Sequence, residues 1–170
     1  PTDFRNFFNA VIDGAAFRDI TAYIQHAKDS AEADILCGGE WDDSEGYYIQ
    51  PTMVETTDPH FKLMEEEIFG PVLAILTFGS EDAVVARAND TVYGLAAGVF
   101  TSDLARGHRV AAALEAGIVW INTYNLTPIE MPFGGYKQSG IGRENSHAAI
   151  EHYTQLKSVY VATGDVDAPY

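Results

Sequence analysis

Three consecutive carboxylates, Glu65, Glu66 and Glu67, stand directly before an apolar run in the stretch LMEEEIFGPVLAI, Leu63 to Ile75. Adjacent glutamates repel one another, and if the following run is core, at least one of them sits at the mouth of that core, where it needs a partner to replace its water. A second stretch, NTYNLTPIEMPFGGYKQSGIGREN, Asn122 to Asn145, joins an amide-rich start to aromatic residues and glycines at 134, 135, 140 and 142. Glycines there let backbone approach a ligand, an ion or another chain closely. So long a loop exceeds what mere connection requires. It holds neither a GxGxxG between a strand and a helix nor a Walker lysine motif, so it does not cradle phosphate by itself.

The remaining candidates point to less chemistry. Cys37, the only cysteine, closes the short apolar stretch Ile35-Leu36-Cys37 before a Gly-Gly turn with no base nearby. It is expected to be a small buried hydrophobe rather than a nucleophile, and a lone cysteine allows no internal disulfide. His26, His60, His108, His147 and His152 are scattered. His147 and His152 lack the i, i+4 spacing of a helical zinc pair, so no metal site is expected. Ser139 lies in KQSGIG, not in a G-x-S-x-G elbow, which argues against a serine hydrolase.

Composition bounds the function classes. With 170 residues, 46% hydrophobic and 12% aromatic, the chain can bury a sizeable core. A formal charge of −15, with ten Lys and Arg spread along the chain, disfavours nucleic acid and anionic membrane surfaces as partners. No uninterrupted apolar stretch approaches the ~20 residues of a membrane helix, and PTDFRNFFNA lacks the basic and apolar regions of a signal peptide. The expectation is a soluble, cytoplasmic protein.

The elements that must position these residues follow from periodicity. Phe17, Ile20, Ile24 and Ala27 recur at helical spacing between Asp13 and Asp29, with Asp13 as N-cap. A strand near Ile35 follows, then GGEWDDSEG as a surface turn, and YYIQPTMVET as extended chain interrupted by Pro51. TDPHFKLMEEE reads as a loop with one helical turn. GPVLAILTFG is a continuous apolar run, as in a strand covered on both faces. A helix over 81–89, a strand AAGVFTS, a helix from Asp103 to Glu115 with Leu104, Ala111 and Leu114 inward, and a strand GIVWIN complete the alternation. The fold class is α/β, a mostly parallel sheet with flanking helices. In such folds chemistry collects beyond the carboxyl ends of the strands, and the Asn122–Asn145 loop lies there.

Together, EEIFGPV at Glu66 to Val72 and PFGGYKQSGIGRE at Pro132 to Glu144, joined by NDTVYGLAAGVFT and WINTYN, resemble the C-terminal third of an NAD(P)-dependent aldehyde dehydrogenase. The resemblance covers nearly the whole chain. It implies that Glu67 binds the hydroxyls of the nicotinamide ribose and that Phe69 packs beside the nicotinamide, with NAD as cofactor and NADP equally compatible. The other two glutamates are then solvated or capping residues. Tyr124, Asn125, Leu126, Thr127 and Phe133 fall where the family lines its aldehyde tunnel. The family's reactive cysteine, general base, oxyanion-hole asparagine and Rossmann unit match nothing in these residues, so no catalytic residue is assigned here and the fragment alone is expected to be inactive. In the complete enzyme a thiolate attacks the aldehyde, hydride passes to the cofactor, and water releases the acid.

The resemblance is not uniform. Residues 4 to about 71 look most like 1-pyrroline-5-carboxylate dehydrogenases, whereas INTYNLTPIEMPFGGYKQSGIGREN and HYTQLKSVYV look like betaine aldehyde dehydrogenases. The loop that faces substrate belongs to the second part, which favours betaine aldehyde, since aromatic faces attract a quaternary ammonium. The expected division is 1–155 as part of the catalytic domain and 156–170 as an oligomerisation strand and tail, since in the family a C-terminal strand pairs with another subunit and KSVYVAT alternates suitably. Expected partners are the remainder of the enzyme chain, a small aldehyde and further copies in a dimer or tetramer. The rival reading is a non-catalytic assembly module.

Overall fold

The computed structural model describes residues 5–167, so Phe4 and the last three residues of the tail lie outside it. The chain divides into two compact units between Arg87 and Ala88. In the first, α1 (Gly14–Asp29) starts where the Asp13 carboxylate accepts the amide hydrogens of Ala15 and Ala16, at 3.0 and 2.8 Å. That satisfies two of the orphan donors of the first turn. Phe17, Ile20, Ile24 and Ala27 are all buried along one face, as their spacing predicts. Strands β1 (Ala33–Cys37), β2 (Trp41–Asp42), β3 (Tyr48–Ile49) and β4 (Thr52–Thr56), a helical turn α2 (Lys62–Glu65) and β5 (Val72–Ile75) follow.

The sheet order is β1-β4-β5, antiparallel between β1 and β4 and parallel between β4 and β5. Central β4 buries Thr52, Val54 and Thr56. Both threonine hydroxyls are satisfied: Thr52 Oγ1 accepts from Gly39 N and donates to Gln50 O, and Thr56 Oγ1 donates to Glu32 O. Buried hydroxyls without such partners would be costly. Pro51 sits between β3 and β4, where no ladder bond needs its missing hydrogen. The acidic segment expected as a plain turn instead contributes β2, which pairs with β3; Lys28 stabilises it by lying 4.8 Å over the Trp41 ring and 3.0 Å from Glu40.

Two burial expectations fail in this unit. Leu73 on β5 is 56% exposed, so the strand is not covered on both faces. Cys37 is exposed rather than buried, because β1 is an edge strand whose outer residues, Leu36 among them, meet no covering element of the unit.

The helix α3 (Glu81–Asn89) leads into the second unit, where β6 (Ala96–Val99), α4 (Leu104–Ala113) and β7 (Ile118–Ile121) form a βαβ crossover with β6 and β7 parallel. Asp103 caps α4 by accepting from Arg106 N, and that bond holds its carboxyl below the usual range. The buried face of α4 is Gly107 and Val110. Leu104, expected inward, is 63% exposed, while Ala111 and Leu114 are only half-buried. The cause is Gly107: a side chain there would come within 3.0 Å of Ile121, so the helix lies on β7 along its glycine and not along Leu104. A short 3-10 turn (Lys137–Ser139) and α5 (Ala148–Tyr153) close the unit.

The α/β class and the parallel pairs hold, but the strands fall into three small sheets, two of their pairings antiparallel. The segment KSVYVAT forms no ladder among the described residues, none of which pairs with it. Leu156 and Tyr160 are fully bare at 103% and 95% exposure. Exposed apolar residues of this kind favour association. The isolated chain is therefore expected to self-associate at micromolar concentration, and light scattering that finds a stable folded monomer overturns this.

Candidate functional site

The three opening glutamates diverge because α2 ends beneath them. Glu65 closes the helix, Glu66 is its C-cap with extended backbone, and the chain then runs out toward Phe69. Glu65 lies 2.7 Å from His60 Nδ1. Glu66 accepts the Tyr23 hydroxyl at 2.5 Å and stands 4.0 Å from Lys62 Nζ, which itself lies over the Tyr23 ring. Glu65 and Glu66 are thus solvent-exposed, Glu66 as the cap of α2, in line with the expectation of solvated or capping residues, and each also has a side-chain partner. Glu67 is exposed and bonds to nothing among the described residues.

Glu67 lines a groove of about 790 Å³ with Ile68, Phe69, Tyr23, Lys62 and the N-terminal half of α1. Phe69 is 89% exposed and holds φ at +56°. A bulky residue in the left-handed region is a genuine outlier costing on the order of 1 kcal/mol. Its cause is next in sequence: a Cβ on Gly70 would fall 2.6 Å from Ile20 Cδ1, so the backbone dives against the α1 core and throws the phenyl ring outward. Glu67 and Phe69 thus present a carboxylate and an exposed ring to the same groove.

The second unit builds the long loop. Asn122, at φ +56°, ends β7 and uses its side chain to bond both N and O of Thr101, which ties the strand ends together. The Trp120 indole then donates to Leu126 O at 2.8 Å and its ring lies 5.2 Å from that of Tyr124. Tyr124 is 68% exposed, so it does not merely close the core. Asn125 takes φ +59°, and Leu126 and Thr127 are exposed. Phe133 is half-buried and held by a two-bond antiparallel bridge to Glu144, at 2.8 and 2.7 Å.

The glycines serve the fold first. A Cβ on Gly117 would lie 1.7 Å from Gly134 O, so the loop backbone rests directly on the entrance to β7. Gly135 is similarly pressed on Ser139, whereas Gly140 and Gly142 adopt positive φ. The close approach is to this chain's own backbone.

Several residues that hold the site were not singled out in the sequence. Arg143 Nη1 donates to Gly135 O and Gly142 O, at 3.0 and 2.6 Å, and its guanidinium lies 5.4 Å from the centre of the Tyr136 ring. Lys137 Nζ donates to Asn89 O and Thr91 O and pairs with Glu115 at 2.7 Å. Tyr153 donates to Glu144 Oε1 at 2.6 Å, and that bond, with the carboxylate's charge, holds the phenol above its ordinary pKa. Their only signal in sequence is a dense run of donors after the glycines.

Cys37 is a free, exposed cysteine at the end of β1. No group of three or more His, Cys, Asp or Glu among the described residues could hold a metal ion. No helix among them is long and apolar enough to cross a membrane.

The profile of the aldehyde dehydrogenase family matches residues 1–159, and the chain belongs to that family. Among curated relatives, betaine aldehyde dehydrogenase of Cereibacter sphaeroides is 54% identical over 94% of the chain and 33% of its own length. That of Agrobacterium fabrum is 52% identical over 100% of the chain and 35% of its own length. The aldehyde dehydrogenase of Bacillus cereus in its NAD+ complex superimposes with a TM-score of 0.89 at 41% identity, over 95% of this chain and 33% of that one. A point mutant of betaine aldehyde dehydrogenase from Staphylococcus aureus, in complex with NAD+, gives 0.82 at 36%, over 89% and 31%. The chain thus spans about a third of the length of the relatives it matches. The Agrobacterium fabrum relative matches the whole chain, residues 4 to 71 included.

Proposed function

We propose that this chain forms part of an NAD-dependent enzyme that oxidises betaine aldehyde to glycine betaine. The observation that carries the cofactor half is Glu67: of three adjacent glutamates it alone keeps its oxygens free, and it does so in the groove that the strained, exposed Phe69 also lines. Bound NAD supplies the hydride acceptor. Glu67 accepts the two hydroxyls of the nicotinamide ribose, and Phe69 forms the wall that limits the nicotinamide's movement. The thiolate, the general base and the adenosine-binding unit come from the part of the enzyme outside this chain. NAD rather than NADP is supported by the NAD+ complexes among the related structures.

Tyr124, Asn125, Leu126, Thr127 and Phe133 line the aldehyde side. The curated relatives named as betaine aldehyde dehydrogenases support a trimethylammonium substrate, and so does the open face of Tyr124. A ring over a desolvated cation contributes roughly 0.5–2 kcal/mol. The bare segment 156–163 then acts as the oligomerisation strand of a dimer or tetramer, the rest of the chain belonging to the catalytic domain. A cytoplasmic location is the reading that a free Cys37 supports, since a thiol without a disulfide suits a reducing compartment.

The test is a steady-state comparison of betaine aldehyde and glutamate semialdehyde with the complete enzyme. Betaine aldehyde is expected to be preferred, and Tyr124→Ala to lower that preference roughly 3- to 30-fold. A clear preference for the semialdehyde assigns the enzyme to 1-pyrroline-5-carboxylate oxidation. No oxidation of either aldehyde by the complete chain leaves the assembly role.

A further inference from the structure

We propose that Arg143 and Tyr153 are positioning residues for Phe133 and set the enzyme's discrimination among aldehydes without touching substrate. The inference rests on the reading of Phe133 as a wall of the aldehyde site. Phe133 belongs to no regular element; its backbone is fixed by the two-bond bridge to Glu144. What fixes Glu144 therefore fixes the backbone from which the phenyl ring projects.

Three contacts converge on the Arg143-Glu144 pair. The Glu144 carboxylate accepts the Tyr153 hydroxyl from the end of α5, at 2.6 Å. The Arg143 amide donates to His152 Nε2 at 3.1 Å, one residue earlier on the same helix. The Arg143 guanidinium closes the other side, donating to Gly135 O two residues beyond Phe133 and to Gly142 O just before itself. A Cβ on Gly134 would stand 2.9 Å from Arg143 Cδ, so the arginine stem also packs against the backbone immediately after Phe133. Phe133 is thereby held between a backbone bridge, whose Arg143-Glu144 strand is anchored to α5 through His152 and Tyr153, and the Arg143 side-chain clamp on the glycine turn.

The chemistry favours a positioning role. A guanidinium can serve two carbonyls at once in a fixed plane, which a lysine ammonium cannot match in geometry. Both carbonyls belong to a glycine-rich turn that would otherwise sample several conformations. Loss of either anchor leaves Phe133 in place on average but free to move. Such freedom weakens selection of the aldehyde and leaves the dinucleotide groove in the other unit untouched.

The experiment uses the complete enzyme with Tyr153→Phe, Arg143→Gln, Arg143→Lys, Phe133→Ala and the double variant Phe133→Ala with Tyr153→Phe. Aldehyde KM, cofactor KM and kcat are measured for betaine aldehyde and for propionaldehyde. Tyr153→Phe is expected to raise the betaine aldehyde KM roughly 3- to 10-fold, as one lost hydrogen bond would. Cofactor KM and kcat should stay within about twofold, and the ratio of kcat/KM for the two aldehydes should move toward unity. Arg143→Gln is expected to do more, with partial recovery in Arg143→Lys; should the arginine variants fail to fold, Tyr153→Phe decides. In the Phe133→Ala background Tyr153→Phe should add nothing, because its effect passes through that ring. An unchanged aldehyde KM in Tyr153→Phe, equal changes in aldehyde and cofactor KM, or full additivity in the double variant overturns the inference. If Phe133→Ala itself leaves aldehyde KM unchanged, the fault lies in the tunnel reading on which the inference rests.

Discussion

Gly117→Ala is expected to destabilise the second unit by about 3 kcal/mol, at the upper end of what overpacking costs. The methyl group would fall 1.7 Å from Gly134 O, well inside contact distance, and both sides of the clash are backbone. No rotamer change relieves it. Either β7 loses the start of its ladder, where Gly117 N donates to Gly94 O at 3.0 Å, or the Pro132–Gly135 segment lifts off. Because Tyr136 N donates to the same Gly94 O, the two strips of backbone are coupled and both loosen together. Denaturant unfolding of the complete enzyme, followed at Trp120, should show an earlier transition and a raised aldehyde KM. Gly79→Ala is the control: nothing lies within 4 Å of its added carbon, so its midpoint should stay within about 0.5 kcal/mol of the parent. Equal midpoints for the two alanine variants would remove the loop from its place against β7.

That clash also marks where sequence stops being informative. Helix α1 was legible because its cap and its four apolar residues obey a single local period. Helix α4 misled because the residue that faces β7 is Gly107, which carries no hydrophobic signal, so the helix rotates relative to the face its leucines suggest. KSVYVAT alternates like a strand, yet alternation specifies only which side chains share a face and not whether a neighbouring strand exists. Cys37 misled in a similar way: the local run is apolar, yet the residue is exposed.

The site divides in the same way. Glu67 and Phe69, which the resemblance singles out, line one groove, and Glu66 beside them engages Tyr23, forty-three residues earlier, a pairing that no local pattern encodes. Phe69's backbone strain depends likewise on Ile20 beneath Gly70. Local chemistry nominated the residues; long-range packing decided which of them were free to act.

Glu67→Gln in the complete enzyme is expected to slow single-turnover hydride transfer roughly 10- to 100-fold. Glutamine keeps the length and one acceptor oxygen but not the charge that strengthens both hydroxyl bonds. A charged acceptor is worth about 1.5–3 kcal/mol per bond against 0.5–1.5 for a neutral one, so two weakened bonds amount to roughly 2 kcal/mol. The penalty should fall on orientation more than on binding, because the adenosine half of the cofactor is gripped elsewhere; the cofactor Kd should change less than the transfer rate. Glu65→Gln is the matched comparison. It removes an exposed pairing with His60, of the kind worth at most about 1 kcal/mol, and leaves the groove's free carboxylate intact. Hydride transfer should then be unchanged, and Cys37→Ser should be silent as well. The chain by itself should oxidise no aldehyde. Equal slowing by Glu65→Gln and Glu67→Gln would mean that the acidic run acts only through its summed charge, and activity in the isolated chain abolished by Cys37→Ser would put the nucleophile on β1.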